Sequence, residues 1–192
     1  MFEALKQNIL LKTDLPEEEF RRITSIIEVK NYKKKETVFF SGKVCNKLYF
    51  VSQGCLRSYT IDENGVEHTM QFAFENYWIS DLYSYVTGKP AVYNIEALEP
   101  SEVFIFYKDE FDELLNNIPQ LERHWRILLQ NAYLATQERL NCTLSVTADK
   151  QYEDLIKRHP NIAQRVPQIY IASYLGITPE SLSRIRKKLI TK

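Results

Sequence analysis

Little in this chain is suited to redox, metal, membrane or phosphate-loop chemistry. Its 192 residues hold three cysteines, Cys45, Cys55 and Cys142, an odd number, far apart, with no C-x-x-C pair to suggest a zinc site or redox dithiol. They read as reduced, mostly buried thiols. The three histidines, His68, His124 and His159, stand alone, whereas a cupin-type metal site needs histidines clustered with carboxylates. His68, within a strand, is the one a haem could use; a lone strand histidine reads instead as structural or surface. No G-x-x-x-x-G-K-[ST], G-x-G-x-x-G or G-x-S-x-G occurs, so phosphate-loop, dinucleotide and nucleophile-elbow chemistry lack support. Glu17, Glu18 and Glu19 sit at a helix start, where they compensate the dipole, and no second catalytic partner lies near. No apolar run approaches the roughly 20 residues of a membrane span. The N-terminal Met1-Phe-Glu-Ala-Leu-Lys-Gln-Asn lacks the basic, apolar and cleavage regions of a leader. The expectation is a cytoplasmic protein that is not an enzyme and carries no metal.

What is present is a soluble composition, 44% hydrophobic and 26% charged, with a formal net charge of zero. That zero conceals a division. From Ala148 to Lys192 nine Lys and Arg face four Asp and Glu, leaving sixteen against twenty-one before it. A basic tail module on an acidic body is what DNA binding by one end requires.

The tail, Val166 to Leu189, reads as a helix-turn-helix. Ile171, Ala172 and Leu175 have helical spacing, Gly176 can end a helix at positive φ, and Ile177 plugs the turn. Thr178 is a candidate N-cap, Pro179 loses only an N–H that had no partner, and Glu180 complements the dipole. Leu182, Ile185 and Leu189 form one buried stripe. Opposite them stand Glu180, Ser181, Ser183, Arg184, Lys187 and Lys188. Arg184 can fork two donors onto guanine, Glu180 can accept from cytosine, and the serines can bond bases or phosphates. Arg186, Lys187 and Lys188 suit phosphates, which position a helix without reading sequence.

Ile171-Ala-Ser-Tyr-Leu-Gly-Ile-Thr-Pro-Glu-Ser-Leu-Ser-Arg-Ile resembles the C-terminal motif of the cyclic AMP receptor protein and fumarate-nitrate regulator (Crp/Fnr) family of bacterial transcription factors. The resemblance implies base contacts by Glu180 and Arg184, a palindromic operator, and RNA polymerase as a further partner. Only Ile190, Thr191 and Lys192 follow, so no β-wing is expected after the recognition helix. An iron–sulfur cluster, which some members carry, usually takes four thiolates, and three cysteines argue against one.

Met1 to Arg22 reads as helical, with Asp14 as candidate cap and Pro16 opening a helix. Short β-type runs follow at Val38-Phe-Phe, Leu48-Tyr-Phe-Val, Leu56-Arg-Ser-Tyr-Thr-Ile, Val66-Glu-His-Thr-Met-Gln-Phe and Val103-Phe-Ile-Phe. Ser41-Gly42 and Gln53-Gly54 punctuate them, and Asp62-Glu-Asn-Gly65 is a hairpin turn. Such strands suggest a sandwich or roll with a pocket between its sheets. Leu48-Tyr-Phe-Val-Ser-Gln-Gly-Cys-Leu-Arg resembles the cyclic nucleotide-binding domain of the same family. That resemblance places the phosphate cassette from Trp78 to Tyr93. Cyclic-AMP binders carry Gly-Glu and then Arg-Ser there; this chain has Ser80-Asp81, then Ala91-Val92. A buried cyclic phosphate needs cations or donors, and Ala91 and Val92 supply none; Lys89 is only a point charge. Cyclic AMP in the family's usual mode is therefore not expected, and the effector is unknown. Tyr77, Trp78, Tyr83, Tyr85 and Tyr93 could line a pocket for another metabolite, with ordinary core packing the favoured alternative.

A short helix spans Asp109 to Asn116, and Pro119 opens the longest helix, to about Leu144. Leu121, Trp125, Leu128, Ala132, Ala135 and Cys142 form one stripe, broken by Arg139, and Leu129, Tyr133, Thr136, Leu140 and Leu144 a second. Two stripes imply two partners, the roll and another copy of the helix. Asn141 to Thr147 reads as a hinge, with Thr147 capping a helix from Ala148 to Arg158 packed through Tyr152, Leu155 and Ile156. The fold class expected is α+β: a β-roll sensor over 1–118, a dimerisation helix and hinge over 119–146, and a helix-turn-helix domain over 147–192. The function expected is a homodimeric DNA-binding regulator; the alternative is a small-molecule-responsive signalling protein whose helical tail docks a protein partner.

Overall fold

The computed structural model describes residues 1–190, apart from the side chains of Thr143, Leu144 and Ile190. Leu144 in the second stripe and Thr143 in the hinge therefore lie outside the described side chains, as do Thr191 and Lys192 altogether. The order is α1 (Glu3–Leu10), α2 (Glu17–Ser25), β1 (Glu28–Tyr32), β2 (Thr37–Phe39), β3 (Lys47–Gln53), β4 (Leu56–Ile61), β5 (Glu67–Ala73) and β6 (Trp78–Ile79). Then come α3 (Leu82–Thr87), β7 (Asn94–Ala97), β8 (Ser101–Tyr107), α4 (Lys108–Asn117), α5 (Pro119–Ser145), α6 (Ala148–Arg158), α7 (Ile162–Arg165), α8 (Gln168–Leu175) and α9 (Pro179–Ile190). The strands form two four-stranded sheets, β1-β8-β3-β6 and β2-β7-β4-β5.

The apolar run of β8 shows why these sheets stack as they do. Val103 and Ile105 point into the space between the sheets with Tyr49, Val51, Leu56, Ala73, Ile79 and Ile95. Phe104 and Phe106, on the opposite face of the same strand, meet Leu5, Ile9, Phe20, Ile23, Phe111 and Leu121 from the helices. A strand buried on both faces reads as continuous apolar sequence, and this one does. Gly42, Gly54 and Gly65 all take positive φ at the punctuation points.

Two caps differ from expectation. Asp14 does not cap α2: Pro16 occupies the N-cap position with extended backbone, its carbonyl accepting the Phe20 N–H, and the helical stretch breaks into α1 and α2. Glu17, Glu18 and Glu19 fill the first turn of α2, and Lys6 beside Glu17 holds that carboxyl below its usual range. Thr147 holds the N-cap position of α6 but makes no side-chain cap bond. Gln151 ties that junction instead, its amide donating to the carbonyls of Cys142 at 2.9 Å and Val146 at 2.8 Å.

His124 on α5 is 1% exposed and neither ring nitrogen has a hydrogen-bond partner. Burial, with a smaller push from Lys12, lowers its pKa to about 4. The unfolded imidazole titrates near 6.5, so between these values the unfolded chain binds a proton that the fold refuses. Stability is complete above the unfolded value and falls as the pH drops through this window, by about 3 kcal/mol in all at 1.36 kcal/mol per unit. His124→Leu should flatten that acid loss, seen as urea midpoints that differ less between pH 7 and pH 5 than in the unmodified protein. An acid loss unchanged in the variant would assign it to other groups.

The chain divides into two compact units, Met1–Ser58 with Phe72–Ala132, and Tyr59–Gln71 with Tyr133–Lys192. Helix α5 contributes to both, and the β4–β5 turn groups with the C-terminal helices. Of the residues assigned to the dimer helix, Leu121 is buried in the core of the first unit and Trp125 packs there against Trp78, Tyr85 and Phe111. They are already used by the fold. Leu128 and Ala132 are half-buried and Ala135 is exposed. The second stripe is the open one, with Tyr133 63% and Leu140 54% exposed.

Candidate nucleic-acid interface

The turn between α8 and α9 is built by backbone geometry. Gly176 sits at φ +67° and donates to the Ser173 carbonyl at 3.1 Å, and Ile177 donates to the Ala172 carbonyl at 3.0 Å. This pair of bonds is a Schellman closure, which needs left-handed backbone that glycine adopts without a Cβ penalty. The chain then turns directly into α9, where Thr178 Oγ1 accepts the Ser181 N–H at 3.2 Å and the Thr178 carbonyl accepts that of Leu182 at 3.0 Å. Ile171, Ala172 and Leu175 of α8 and Leu182 and Ile185 of α9 are buried together. The polar side of α9 is thereby turned outward.

On that side Glu180, Arg184 and Lys187 are exposed one turn apart. The backbone N–H of Glu180 and then the Thr178 hydroxyl hold the Glu180 carboxyl below the usual carboxylate range, so it is an acceptor at neutral pH. Arg184 Nη2 donates to Ser181 Oγ at 3.2 Å, and Ser181 Oγ lies 3.1 Å from Thr178 Oγ1. Ser181 thus steadies Arg184; Ser183 is half-buried beside it. Lys188 pairs with Asp149 of α6 at 2.8 Å, a bond that raises its pKa. Arg186 is half-buried on the flank facing Tyr152, whose phenol is raised by burial and partly drawn back by the Arg186 charge. Lys187 is exposed on the same face as Arg184. Helical phase explains the difference: Arg186 lies one turn from Leu182, on the edge of the buried stripe.

Among the described residues, those of the cassette are put to several structural uses. Trp78 packs in the aromatic core against Phe50 and Phe106, and Ala91 is 4% exposed between the sheets. Tyr83 is 54% exposed, with Lys89 Nζ 6.0 Å from its ring centroid. Ser80 Oγ donates to the Lys47 carbonyl at 2.7 Å. Asp81, fully buried, accepts the N–H groups of Ser84 at 2.9 Å, Val92 at 2.9 Å and Tyr93 at 3.1 Å. Val92 is itself exposed and Tyr93 half-buried, but their amides point to this carboxylate. These three amides of the loop are thus donated to a side chain of the loop itself. A hollow of about 780 Å³ opens elsewhere on the first unit, lined by Tyr32, Glu36, Gln53 and Glu102 among others.

Residues 29–117 match the cyclic nucleotide-binding domain family. The regulatory protein HlyX of Actinobacillus pleuropneumoniae is 26% identical over 92% of this chain and 78% of its own length. The fumarate and nitrate reduction regulatory protein of Vibrio cholerae is 28% identical over 89% of this chain and 72% of its own. Among solved structures, FixK2 from Bradyrhizobium japonicum superposes with a TM-score of 0.76 at 16% identity, covering 86% of this chain and 85% of that one. The chain is similar along most of its length to regulators of the Crp/Fnr family.

Beside that family it departs from the cyclic-nucleotide pattern where the cassette bonds to itself. Cys45 is buried with Sγ 3.5 Å from the Lys47 carbonyl, Cys55 is buried with Sγ 3.6 Å from that of Leu56, and Cys142 belongs to the second unit. Two signals were not legible in the sequence. Asp81 finds its amides eleven and twelve residues away across a loop, and Arg139, which only interrupts a stripe in the sequence, bonds to strand β5. His68, exposed, sits 2.9 Å from Asp62 at the hairpin turn, an ordinary surface pair.

Proposed function

We propose that this chain acts as a homodimeric, DNA-binding transcription regulator whose sensor roll does not take cyclic AMP in the Crp/Fnr family's usual mode. The observation that carries the DNA reading is the outward row of Glu180, Arg184 and Lys187 on a capped helix behind a glycine turn. A helix so presented fits the major groove, with Arg184 forking onto guanine O6 and N7 and Glu180 accepting from cytosine N4. Lys187 reaches a phosphate. The exposed Tyr133 and Leu140 support pairing with a second copy of α5, and a two-fold pair of reading heads suits a palindromic operator. The internally bonded cassette, with Ala91 buried and the amides of Val92 and Tyr93 taken by Asp81, supports the loss of cyclic-AMP binding.

The test is fluorescence anisotropy on an operator recovered by capturing genomic fragments at about 0.15 M salt, where screening tempers non-specific attraction. Arg184→Ala should cost about 1–3 kcal/mol on the operator and relax discrimination at one base position. Lys187→Ala should weaken operator and random DNA alike and reduce the salt slope by about one. Equal losses on specific and random DNA for Arg184→Ala would sink the base-reading assignment.

A further inference from the structure

The β4–β5 hairpin tip and the C-terminal helices are one compact body, Tyr59–Gln71 with Tyr133 onward, and a small set of polar bonds fastens them. Strand β5 lies at an edge of its sheet, so its outward backbone groups have no neighbouring strand. Ser173 of α8 supplies the missing neighbour. Its hydroxyl accepts the Thr69 N–H at 2.9 Å and donates to the Glu67 carbonyl at 2.9 Å, the two groups flanking His68 that point to one side of a strand. Arg139 of α5 adds charge-assisted bonds to the carbonyls of Met70 and of Thr69, the latter at 3.2 Å. The Tyr174 ring lies over the Arg139 guanidinium, 4.5 Å from centroid to carbon. The hairpin itself is stiff: Asp62 Oδ1 accepts the N–H groups of Asn64 at 2.9 Å and Val66 at 3.0 Å.

We infer that Ser173 and Arg139 form a latch that fixes the orientation of the reading head through strand β5, and that the latched head is the preorganised, operator-competent one. Two features support this direction. The latch leaves Glu180, Arg184 and Lys187 exposed, so it does not cover the recognition face. It also holds α8, the helix packed against α9, and so acts on where α9 points without touching what α9 reads. With the latch closed, α8 and α5 are both tied to strand β5; with it open, those ties are gone. Binding two half-sites at a set spacing requires both heads to be oriented together, and freedom gained in the unbound protein is lost on binding. Ser173 and Arg139 are positioning residues, and the inference rests on the regulator reading above.

The experiment uses the full chain, the captured palindromic operator and a duplex carrying one half-site. Ser173→Ala should lower affinity for the two-half-site operator by about tenfold, within the usual range of coupling between sites, while half-site affinity stays within about twofold. Arg139→Gln should act in the same direction. Ser173→Thr, which keeps the hydroxyl, should bind like the unmodified protein. Amide exchange at Thr69 should quicken in Ser173→Ala and not in Ser173→Thr. Unchanged two-half-site affinity in both Ser173→Ala and Arg139→Gln, a rise in it, or an equal fall on the half-site would overturn the latch. Absence of sequence-selective binding by the unmodified protein would instead overturn the regulator reading, and the latch with it.

Discussion

Arg57→Met lowers the unfolding free energy by about 3–5 kcal/mol, the cost of leaving a buried charge without its partner. Arg57 is wholly buried on β4, its Nε 2.6 Å from Glu96 Oε1 on β7, and the Glu96 side chain is only 13% exposed. Methionine keeps most of the aliphatic stem, so the loss does not come from volume. It comes from a carboxylate that water scarcely reaches and that no cation then balances. Combining Arg57→Met with Glu96→Met should return a large part of the loss, because an apolar pair of similar size has no charge to desolvate. Urea denaturation of the two single variants and the double variant measures the coupling directly. A loss below about 1 kcal/mol for Arg57→Met would show that the pair behaves as an exposed one.

Gly54→Ala is expected to be nearly as severe, at about 2–5 kcal/mol, through two separable causes. Gly54 joins β3 to β4 at φ +96°, where an L side chain is strained. An added Cβ would also lie 2.7 Å from the Pro100 carbonyl oxygen and 2.8 Å from Ser101 Cα, and closer still to Ser101 Oγ. These contacts are with backbone that cannot swing away, and Ser101 Oγ meanwhile accepts the Cys55 N–H and donates to the Glu99 carbonyl. Gly65→Ala separates the causes, since Gly65 has φ +79° but open space around its Cβ position. It should cost only about 1–2 kcal/mol. Similar thermal shifts for both alanine variants would mean that the close approach at Gly54 is relieved by a small backbone adjustment.

How much of this was legible from the sequence depended on how local the cause was. The α8–α9 turn was readable because glycine at positive φ, threonine at the cap and proline behind it act within a few residues. The run Val103 to Phe106 was readable as a strand, while its burial on both faces emerged only from the packing of the helices. By contrast, β6 is only Trp78–Ile79, too short to carry an alternating pattern, and its pairing with Tyr49 and Phe50 comes from nearly thirty residues away. The cap of α2 was misread because Pro16 can stand outside a helix as readily as inside its first turn. On α5, periodicity revealed two apolar stripes but not that Leu121 and Trp125 were already committed to the core of the first unit. The polar bonds of Asp81, Arg139, Gln151 and Ser173 were the least legible. Each joins a side chain to backbone groups, and a backbone amide or carbonyl leaves no mark in the sequence.

The division of the chain into interleaved units also bears on how the protein is made. The Tyr59–Gln71 segment is synthesised well before its companions from Tyr133 onward, with Phe72–Ala132 emerging between them. On the ribosome the second unit therefore cannot close as an autonomous cassette. Its hairpin must wait, with the edge of β5 unmasked, until Arg139 and then Ser173 arrive. In that interval the unmasked edge of β5 is open to pairing with another copy.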